Sequence, residues 1–90
     1  MLVLQSRLFK NSVKRLHGNQ KHALDNAVRA IVANPAVGKA KAGDLAGIRV
    51  YKFKMTNQLT LLAYEWTETE EKLEMLAFGS HENFYRDLKR

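Results

Sequence analysis

The spacing of apolar residues in the first third of the chain predicts a strand followed by two helices. Residues 1–9 are rich in leucine without a helical period, which indicates a short strand. Apolar side chains in residues 10–17 recur at intervals of three and four, as in a helix, and Gly18 is a natural stop. Residues 20–33 repeat the helical spacing up to Pro35, because the residue before a proline is pushed out of the helical region. We expect the two helices to form a short antiparallel hairpin.

The second half of the chain changes to the period of two that is typical of strands. Residues 36–47 contain three of the five glycines, which predicts a loop. Side chains in residues 48–55 alternate between the two faces of a strand, and residues 59–66 are nearly all apolar, as in a central strand. A third strand over residues 73–78 and a short helix over residues 81–89 complete the pattern.

These elements predict a single α+β domain over residues 1–90. The sheet is expected to be small, twisted and mainly antiparallel, with the helical hairpin on one face and the short helix at the C-terminus. The period of two places Lys52 and Lys54 together on the face away from the hairpin. Since no helix of the hairpin remains to cover that face, we expect it to be uncovered.

The distribution of charge indicates an anionic partner. The chain carries 15 basic and 9 acidic side chains, a net charge of +6, which favours a polyanion or an acidic protein as partner. Residues 1–64 hold 11 basic and 2 acidic side chains, whereas residues 65–90 hold 4 basic and 7 acidic ones. We therefore expect a cationic body with an acidic patch near one turn.

Composition excludes several classes of protein. The chain has no cysteine, which excludes a disulfide framework and a cysteine nucleophile and fits a reducing cytoplasm, where we place the protein. No apolar run reaches the ~20 residues of a membrane span, and polar residues interrupt the apolar start before a signal-peptide core forms. No phosphate-binding glycine loop is present, and His17 and His22 have no carboxylate at ligand spacing. We expect neither a cofactor nor a bound metal.

Lys52 and Lys54 are the first candidate site residues. Their spacing along a strand puts the two side chains about 6.6–7 Å apart on one face, which resembles the separation of successive phosphates in a nucleic-acid strand. Two cations at this spacing can grip a nucleic-acid backbone or stabilise charge on a reacting phosphate. Lysine is also common on solvated sheet faces, and the pattern alone favours that simpler interpretation.

The segment after the last strand holds the second candidate. His81 follows a Gly-Ser pair, and Tyr85 falls four residues later, on the same face if the segment is helical. Histidine is the side chain best suited to proton transfer near neutral pH. The competing interpretation makes Ser80 a helix cap, Phe84 a core residue and His81 an ordinary surface residue. The residues alone do not decide between the two.

Two arginines and three aromatic residues complete the set of candidates. Arg49 and Arg86 are candidate phosphate contacts, and an ordinary surface charge is an equal alternative for each. Trp66, Tyr64 and Tyr51 have apolar neighbours, which favours packing in the core over stacking on bases.

Several short motifs follow one another along the chain after the leading strand and the helical hairpin. They are the Asn34-Pro35 break, Asp44-Leu45-Ala46-Gly47, Val50-Tyr51-Lys52-Phe53-Lys54, Leu61-Leu62-Ala63-Tyr64 and the closing Gly79-Ser80-His81. No single motif is very specific, but their order and spacing over essentially the whole chain resemble the RelE/ParE superfamily. Its members are small toxins of bacterial type II toxin–antitoxin modules.

This resemblance implies a metal-independent endoribonuclease that cleaves mRNA in the ribosomal A site. In the RelE kind of enzyme the ribose 2′-hydroxyl attacks the adjacent phosphate. Lys52 and Lys54 match paired strand lysines that supply charge to the transition state, and one of them is a candidate base. His81 falls where members carry a histidine or an arginine, so it is the leading candidate for the general acid or base. Tyr85 matches an aromatic residue that stacks on or orients the substrate nucleotide.

The resemblance also implies partners and one rival function. The expected partners are mRNA on the ribosome and an acidic antitoxin that covers the basic sheet face. RelE-like enzymes carry an arginine in the third strand, about where Thr60 or Leu61 falls here, and Arg49 or Arg86 is a candidate to compensate. The ParE branch poisons DNA gyrase on the same scaffold without the nuclease residues, and a nucleic-acid-binding domain without catalysis is a third interpretation. The ending with His81 and Tyr85 favours the nuclease.

Overall fold

In the computed structural model, which describes residues 1–80, 84, 85 and 88, the chain folds as one mixed sheet with two helices on one face. The strands are β1 (Leu2–Gln5), β2 (Lys39–Ala40), β3 (Ile48–Met55), β4 (Gln58–Thr67) and β5 (Lys72–Gly79), and the helices are α1 (Arg7–Val13) and α2 (Gly18–Ala33). The strand order is β1-β5-β4-β3-β2, in which β1 and β5 are parallel and all other pairs are antiparallel. The predicted α+β fold with a mainly antiparallel sheet is confirmed.

The first helix begins earlier than the apolar spacing predicts, because Ser6 caps it. The hydroxyl of Ser6 accepts a hydrogen bond from the backbone N–H of Phe9 at 3.0 Å and donates one to the carbonyl of Leu76 at 2.6 Å. A serine that bonds the backbone in this way competes with strand pairing and starts a helix. The prediction of one strand over residues 1–9 was therefore wrong, since the strand ends at Gln5.

Gly18, predicted to stop the first helix, is the first residue of α2. The preceding residue, His17, takes the N-cap position, and its backbone N–H donates to the side-chain oxygen of Gln20 at 2.9 Å. The predicted end of this helix at Ala33 is confirmed, with Asn34 in an extended conformation ahead of Pro35. Neither α1 nor α2 is long and apolar enough to cross a membrane, and the described residues contain no other candidate span.

The main core lies between the helices and one face of the sheet. α1 packs on β5 and α2 packs on β3, and each helix turns an apolar stripe towards the strands. The buried members of this core are Phe9, Leu24, Ala27, Ile31, Met55, Leu62, Tyr64, Leu73 and Met75. The other face of the sheet is thereby left for a different set of side chains.

The last three strands match their predicted positions to within one residue at each end. Thr56 and Asn57 join β3 to β4 with φ angles of 48° and 70°, the left-handed pair that a tight hairpin turn requires. The predicted loop over residues 36–47 contains β2 and a single 3₁₀ turn, Gly43–Leu45. A strand of two residues is too short to produce a visible period, so the sequence pattern did not reveal it.

Candidate functional site

The sheet face that turns away from the helices carries Lys52 and Lys54. β3 pairs with β4 without interruption, so the side chains of β3 alternate strictly between the two faces. Tyr51 and Phe53 pack against the main core, and both lysine side chains are exposed on the opposite face. Neither ammonium group forms an ion pair with a carboxylate of the described residues. The structure thus brings together on one surface two cations that no described carboxylate neutralises, while their predicted chemical role stays a prediction.

A second apolar cluster covers part of this face. It consists of Val50, Leu61, Ala63 and Phe84, with Ile48, Leu76, Tyr85 and Leu88 packed at its margin. Phe84, Tyr85 and Leu88 form what we call the C-terminal segment, and Phe84 is only 2% exposed. The expectation of an uncovered face was therefore wrong in part. The strand period that exposes the lysines also puts Val50 on their side, and such apolar surface is stabilised by being covered.

Tyr85 lies on the same side of the sheet as the lysines. Its ring meets the ring of Phe84 edge-to-face, with centroids 5.1 Å apart and an interplanar angle of 83°. The ammonium group of Lys41 sits 5.6 Å from the centroid of the Tyr85 ring, within the range of a cation–π contact. The predicted aromatic residue is thus held near a cation that the sequence analysis did not single out.

Two predicted site residues, His81 and Arg86, lie outside the described residues, and their roles stay predictions. The described residues that flank His81 in the sequence are hydrogen-bonded to each other: the backbone N–H of Phe84 donates to the carbonyl of Ser80 at 3.0 Å. Phe84 is a core residue, as the simpler interpretation of this segment predicted. Its burial fixes the C-terminal segment on the lysine face of the sheet without deciding the role of His81.

Arg49 lies apart from the lysines. In the alternation of β3 it belongs with Tyr51 on the helix side of the sheet. Its guanidinium group donates to the carbonyl of Gly38 at 2.8 Å and to that of Ala36 at 3.3 Å. A phosphate bound by Arg49 would compete with these two carbonyls, so the structure supports a role in holding the connection between α2 and β2.

The same connection is held by Tyr64, which is completely buried. Its hydroxyl accepts a hydrogen bond from the N–H of Gly38 at 2.8 Å and donates one to the carbonyl of Pro35 at 2.7 Å. Burial raises the pKa of Tyr64 above the ordinary 10.0, while the Gly38 hydrogen bond and the charge of Arg49 act in the opposite direction. The predicted core position of Tyr64 is confirmed.

Gly38 is required at its position by the closeness of that tyrosine. A Cβ atom on residue 38 would lie 2.6 Å from the hydroxyl oxygen of Tyr64 and 2.7 Å from its Cε1 atom. Because the tyrosine is enclosed in the core, it has no room to move aside. Gly38, Tyr64 and Arg49 together fix the backbone that leads into β2.

The position at which RelE-like enzymes carry an arginine, about Thr60 or Leu61 in β4, is part of the core in this chain. Leu61 lies directly opposite Lys52 in the pairing of β3 with β4 and is 0% exposed. Thr60 is 5% exposed, and its hydroxyl donates to the carbonyl of Gln58. The described residues therefore place no guanidinium group beside Lys52 on this strand.

Two further lysines lie on the same face, one in the edge strand β2 and one directly after it. Lys39 pairs directly with Val50, and the N–H of Lys41 donates to the carbonyl of Ile48 at 2.9 Å, which continues the same register. Paired residues point to the same side of a sheet, so Lys39 and Lys41 share the face of Val50. Sequence reasoning missed them because residues 36–47 were taken as a loop. The three residues Lys39-Ala40-Lys41 are too short an alternation to be distinguished from a loop by sequence alone.

The acidic patch predicted from the charge distribution lies at the opposite end of β4 from Lys54. Lys54 pairs with Leu59, whereas Glu65 pairs with Ile48 on one side and with Glu74 on the other. Six residues separate positions 59 and 65, a distance of about 20 Å along a strand. Along β3 and β4, Lys54 and Glu65 therefore lie at opposite ends of the outer face, while Lys41 lies level with Glu65, on the other side of Ile48.

The helical layer contains a cleft of about 420 Å³ between α1 and α2. Phe9, Leu24 and Val28 line it, with Lys21 and Arg29 at its polar side. It lies on the other side of the sheet from Lys52 and Lys54 and contains no candidate residue. The described residues also bring no three histidine, aspartate or glutamate side chains together as metal ligands.

Comparison with known families decides the relationship of the chain. The profile of the ParE-like toxins of type II bacterial toxin–antitoxin systems matches residues 3–89. The chain belongs to this family. A search of curated protein sequences found no significant relative of this ParE-like toxin.

Solved structures of toxins share the fold at low sequence identity. The intact RelBE toxin–antitoxin complex of E. coli contains a chain that matches with a TM-score of 0.71 at 10% identity, over 88% of this toxin and 94% of that chain. The YoeB/ParE toxin of Agrobacterium tumefaciens matches with a TM-score of 0.70 at 17% identity, over 90% of this toxin and 99% of that chain. A mutant of E. coli RelE in complex with an antitoxin RelBc peptide matches with a TM-score of 0.70 at 11% identity, over 99% and 94% of the two chains. The RelE/ParE resemblance and the fold are thus confirmed.

Proposed function

We propose that this toxin is a ribosome-dependent mRNA endoribonuclease. The observation that carries the proposal is the pair of exposed ammonium groups of Lys52 and Lys54, which have no carboxylate partner among the described residues. Tyr85 packs on the same side of the sheet, and we assign it the positioning of a nucleotide. Cations that are already in place where charge develops lower the barrier of phosphoryl transfer without reorganisation.

The proposed reaction needs no water and no group from outside the RNA and the protein. The ribose 2′-oxygen forms a bond to the adjacent phosphorus, and its proton passes to a base, for which His81 or one of the lysines is the candidate. The bond from phosphorus to the 5′-oxygen breaks, and that oxygen takes up a proton from an acid. The products are a 2′,3′-cyclic phosphate and a 5′-hydroxyl. The two ammonium groups stabilise the extra negative charge on the phosphorane.

We also propose that an acidic antitoxin neutralises the toxin by covering this basic face. The net charge of +6 favours such a partner and accelerates the encounter. Matching structures are of RelE bound to RelB in one case and to a RelBc peptide in another, which supports a protein partner of this kind.

A second candidate function, inhibition of DNA gyrase, is favoured by two specific observations. The matching family is described as ParE-like. The stretch in which the RelE-like pattern has an arginine, about Thr60 or Leu61, also holds two buried side chains without charge here. In this alternative the lysine face binds a partner and performs no chemistry.

The experiment that separates the two candidates analyses the ends of the RNA. Purified toxin is added to ribosomes paused on a defined mRNA, and the products are mapped by primer extension and tested for a 2′,3′-cyclic phosphate. We expect cuts at defined codon positions with cyclic phosphate ends, in the presence of ribosomes and not with mRNA alone. Products with a 3′-hydroxyl and a 5′-phosphate would indicate metal-assisted hydrolysis instead and would contradict the proposed chemistry.

A parallel supercoiling assay with DNA gyrase tests the alternative. Intact mRNA together with blocked supercoiling would overturn the nuclease proposal in favour of gyrase inhibition. Both assays compare the variant in which Lys52 and Lys54 are replaced by alanine with a matched control in which Lys10 and Lys14 are replaced. Lys10 and Lys14 are also exposed and lie in or next to α1, and their replacement lowers the net charge by the same amount. An effect specific to the sheet lysines separates their role from that of total charge.

A further inference from the structure

We propose that Lys39 and Lys41 extend the pair of Lys52 and Lys54 into a four-lysine track that binds the backbone of a single RNA strand. The proposal rests on the nuclease function in that it enlarges the same substrate site. It concerns the grip on the RNA on one side of the reacting phosphate, and Lys39 and Lys41 take no part in the proton transfers.

The register of the sheet places the four side chains in one row. Lys39 pairs with Val50, which lies two residues before Lys52 on the same face of β3. Diagonal neighbours on adjacent strands are about 7–8 Å apart, and neighbours two positions apart on one strand are about 6.8 Å apart. The row therefore runs from Lys41 through Lys39 and Lys52 to Lys54 in three steps of similar length. Its total length is about 20 Å.

The charges around the row favour a polyanion. None of the four lysines forms an ion pair with a carboxylate of the described residues. Among the described residues of β3 and β4, the acidic position on this face is Glu65, which pairs with Ile48 beside Lys41 and marks the end of the row. Four cations that no carboxylate of the described residues neutralises repel one another in the free protein. That repulsion is relieved when phosphates of a bound strand lie along them.

The distribution of apolar surface favours RNA over a protein at this row. Of the eight exposed large apolar side chains among the described residues, five lie at the far edge of the sheet and on α1, namely Met1, Leu2, Val3, Leu4 and Leu8, and the other three are Val32, Val37 and Leu59. Protein interfaces need apolar anchors at their centre, so an antitoxin that covers the row needs anchors outside it, and within the row itself RNA is the better occupant. Beside the lysines, the register places Leu59 next to Lys54. The row ends instead at Tyr85, below the ammonium group of Lys41, and an aromatic ring next to cations is typical of single-strand binding surfaces.

The experiment measures the salt dependence of RNA binding by the double variant Lys39→Gln/Lys41→Gln. The probe is a 2′-O-methyl RNA strand of about 12 nucleotides, a length in the range that single-strand binding folds cover, which binds but is not cleaved. Each phosphate contact contributes about 0.7 to the slope of log affinity against log salt for a single strand. We expect the variant to lower that slope by about 1.4. The affinity advantage of the wild type then shrinks about sevenfold between 50 and 200 mM salt.

Two control variants separate specific contacts from general effects. Lys10→Gln/Lys14→Gln removes the same charge from the helical layer and is expected to leave the slope unchanged. Lys39→Arg/Lys41→Arg keeps both charges and is expected to retain the wild-type slope. In the ribosome assay the Gln variant is expected to raise the half-saturating ribosome concentration about 10-fold, with an unchanged rate at saturation, because it removes binding and no chemistry.

The possible results distinguish this inference from the proposed function. The track is wrong if the Lys39→Gln/Lys41→Gln variant keeps the wild-type slope, or if the control variant in the helical layer loses as much of the slope. Either result overturns the track even if the toxin cleaves mRNA. If the wild type shows the salt slope expected of four phosphate contacts and never cuts mRNA, the result supports the track and removes the nuclease function. If the Gln variant loses affinity for a poly-glutamate peptide and keeps its affinity for RNA, the row is a protein-binding surface and the proposal is wrong.

Discussion

Replacing Tyr64 by phenylalanine tests the idea that one hydroxyl group holds the connection leading into β2. The change keeps the buried ring and removes only the oxygen that bonds Gly38 and Pro35. The N–H of Gly38 is then left without a partner in the core, and an unsatisfied buried group costs about 1–3 kcal/mol. The carbonyl of Pro35 is only partly buried and regains water, which adds less. We expect the free energy of unfolding to fall by about 2–3 kcal/mol in total.

Urea denaturation followed by circular dichroism measures this loss. With a slope of about 1–2 kcal/mol per molar urea, the midpoint should fall by about 1–3 M. In thermal unfolding a loss of this size lowers the Tm by roughly 10–20 °C for a domain of this length. The variant should still be folded at 25 °C, because small domains have about 5–15 kcal/mol of stability. The slope itself should not change, since the same surface is exposed on unfolding.

Tyr51 provides the matched control for this prediction. It lies on the same side of the sheet, is half-buried and stacks on Phe53 with ring centroids 6.3 Å apart, and its hydroxyl has no hydrogen-bond partner among the described residues. Tyr51→Phe should therefore change the free energy of unfolding by less than about 0.5 kcal/mol. If Tyr64→Phe is as mild as Tyr51→Phe, the hydroxyl of Tyr64 does not hold residues 35–38, and the reasoning is refuted.

Four further predictions follow from the same contacts. Gly38→Ala forces a methyl group against Tyr64 and should cost about 1–3 kcal/mol in urea denaturation; an unchanged midpoint would mean that the tyrosine can move. Because the pKa of Tyr64 is raised in the folded chain, this tyrosine is still neutral there at pH values at which the tyrosine of the unfolded chain has already ionised. The contribution of Tyr64 to the free energy of unfolding is therefore complete below pH 10 and is lost as the pH rises above it. The difference in the free energy of unfolding between wild type and Tyr64→Phe should thus be constant below pH 10 and shrink above it. A difference that grows above pH 10 would mean that the pKa of Tyr64 is lowered in the fold and not raised. Lys54→Ala should lower single-turnover mRNA cleavage about 10²–10³-fold if its charge stabilises the transition state, and an unchanged rate would return it to an ordinary surface lysine. His81→Ala should lower the same rate about 10²–10⁴-fold, whereas a loss below about tenfold in a folded variant would remove it as the proton-transfer group.

Local signals in the sequence predicted most of the fold, and they failed where a single polar side chain or a very short element decided the structure. The period of two located β3 and the continuous apolar run located β4, and these strands and β5 lie within one residue of their predicted positions. The start of α1 was misplaced because Ser6 ends β1 through hydrogen bonds to Phe9 and to the carbonyl of Leu76, seventy residues away in the chain. A contact between residues so far apart is not visible in local periodicity.

The candidate site divides in the same way. Alternation alone determined that Lys52 and Lys54 share one face of a strand, since that depends only on backbone geometry. It also placed Arg49 on the other face, but the two carbonyls that occupy its guanidinium group come from residues 36 and 38 and required the folded chain.

The sequence by itself thus determined the family, the order of the main elements and the face on which two cations lie. Only the tertiary structure decided that Lys39 and Lys41 join them, because the pairing of β2 with β3 determines the face on which these two side chains lie. It also decided that Phe84 covers the apolar part of the face and places Tyr85 near Lys41. The physical reason is that periodicity reports the direction of a side chain relative to its own strand, whereas its neighbours are set by hydrogen bonds and burial between distant segments.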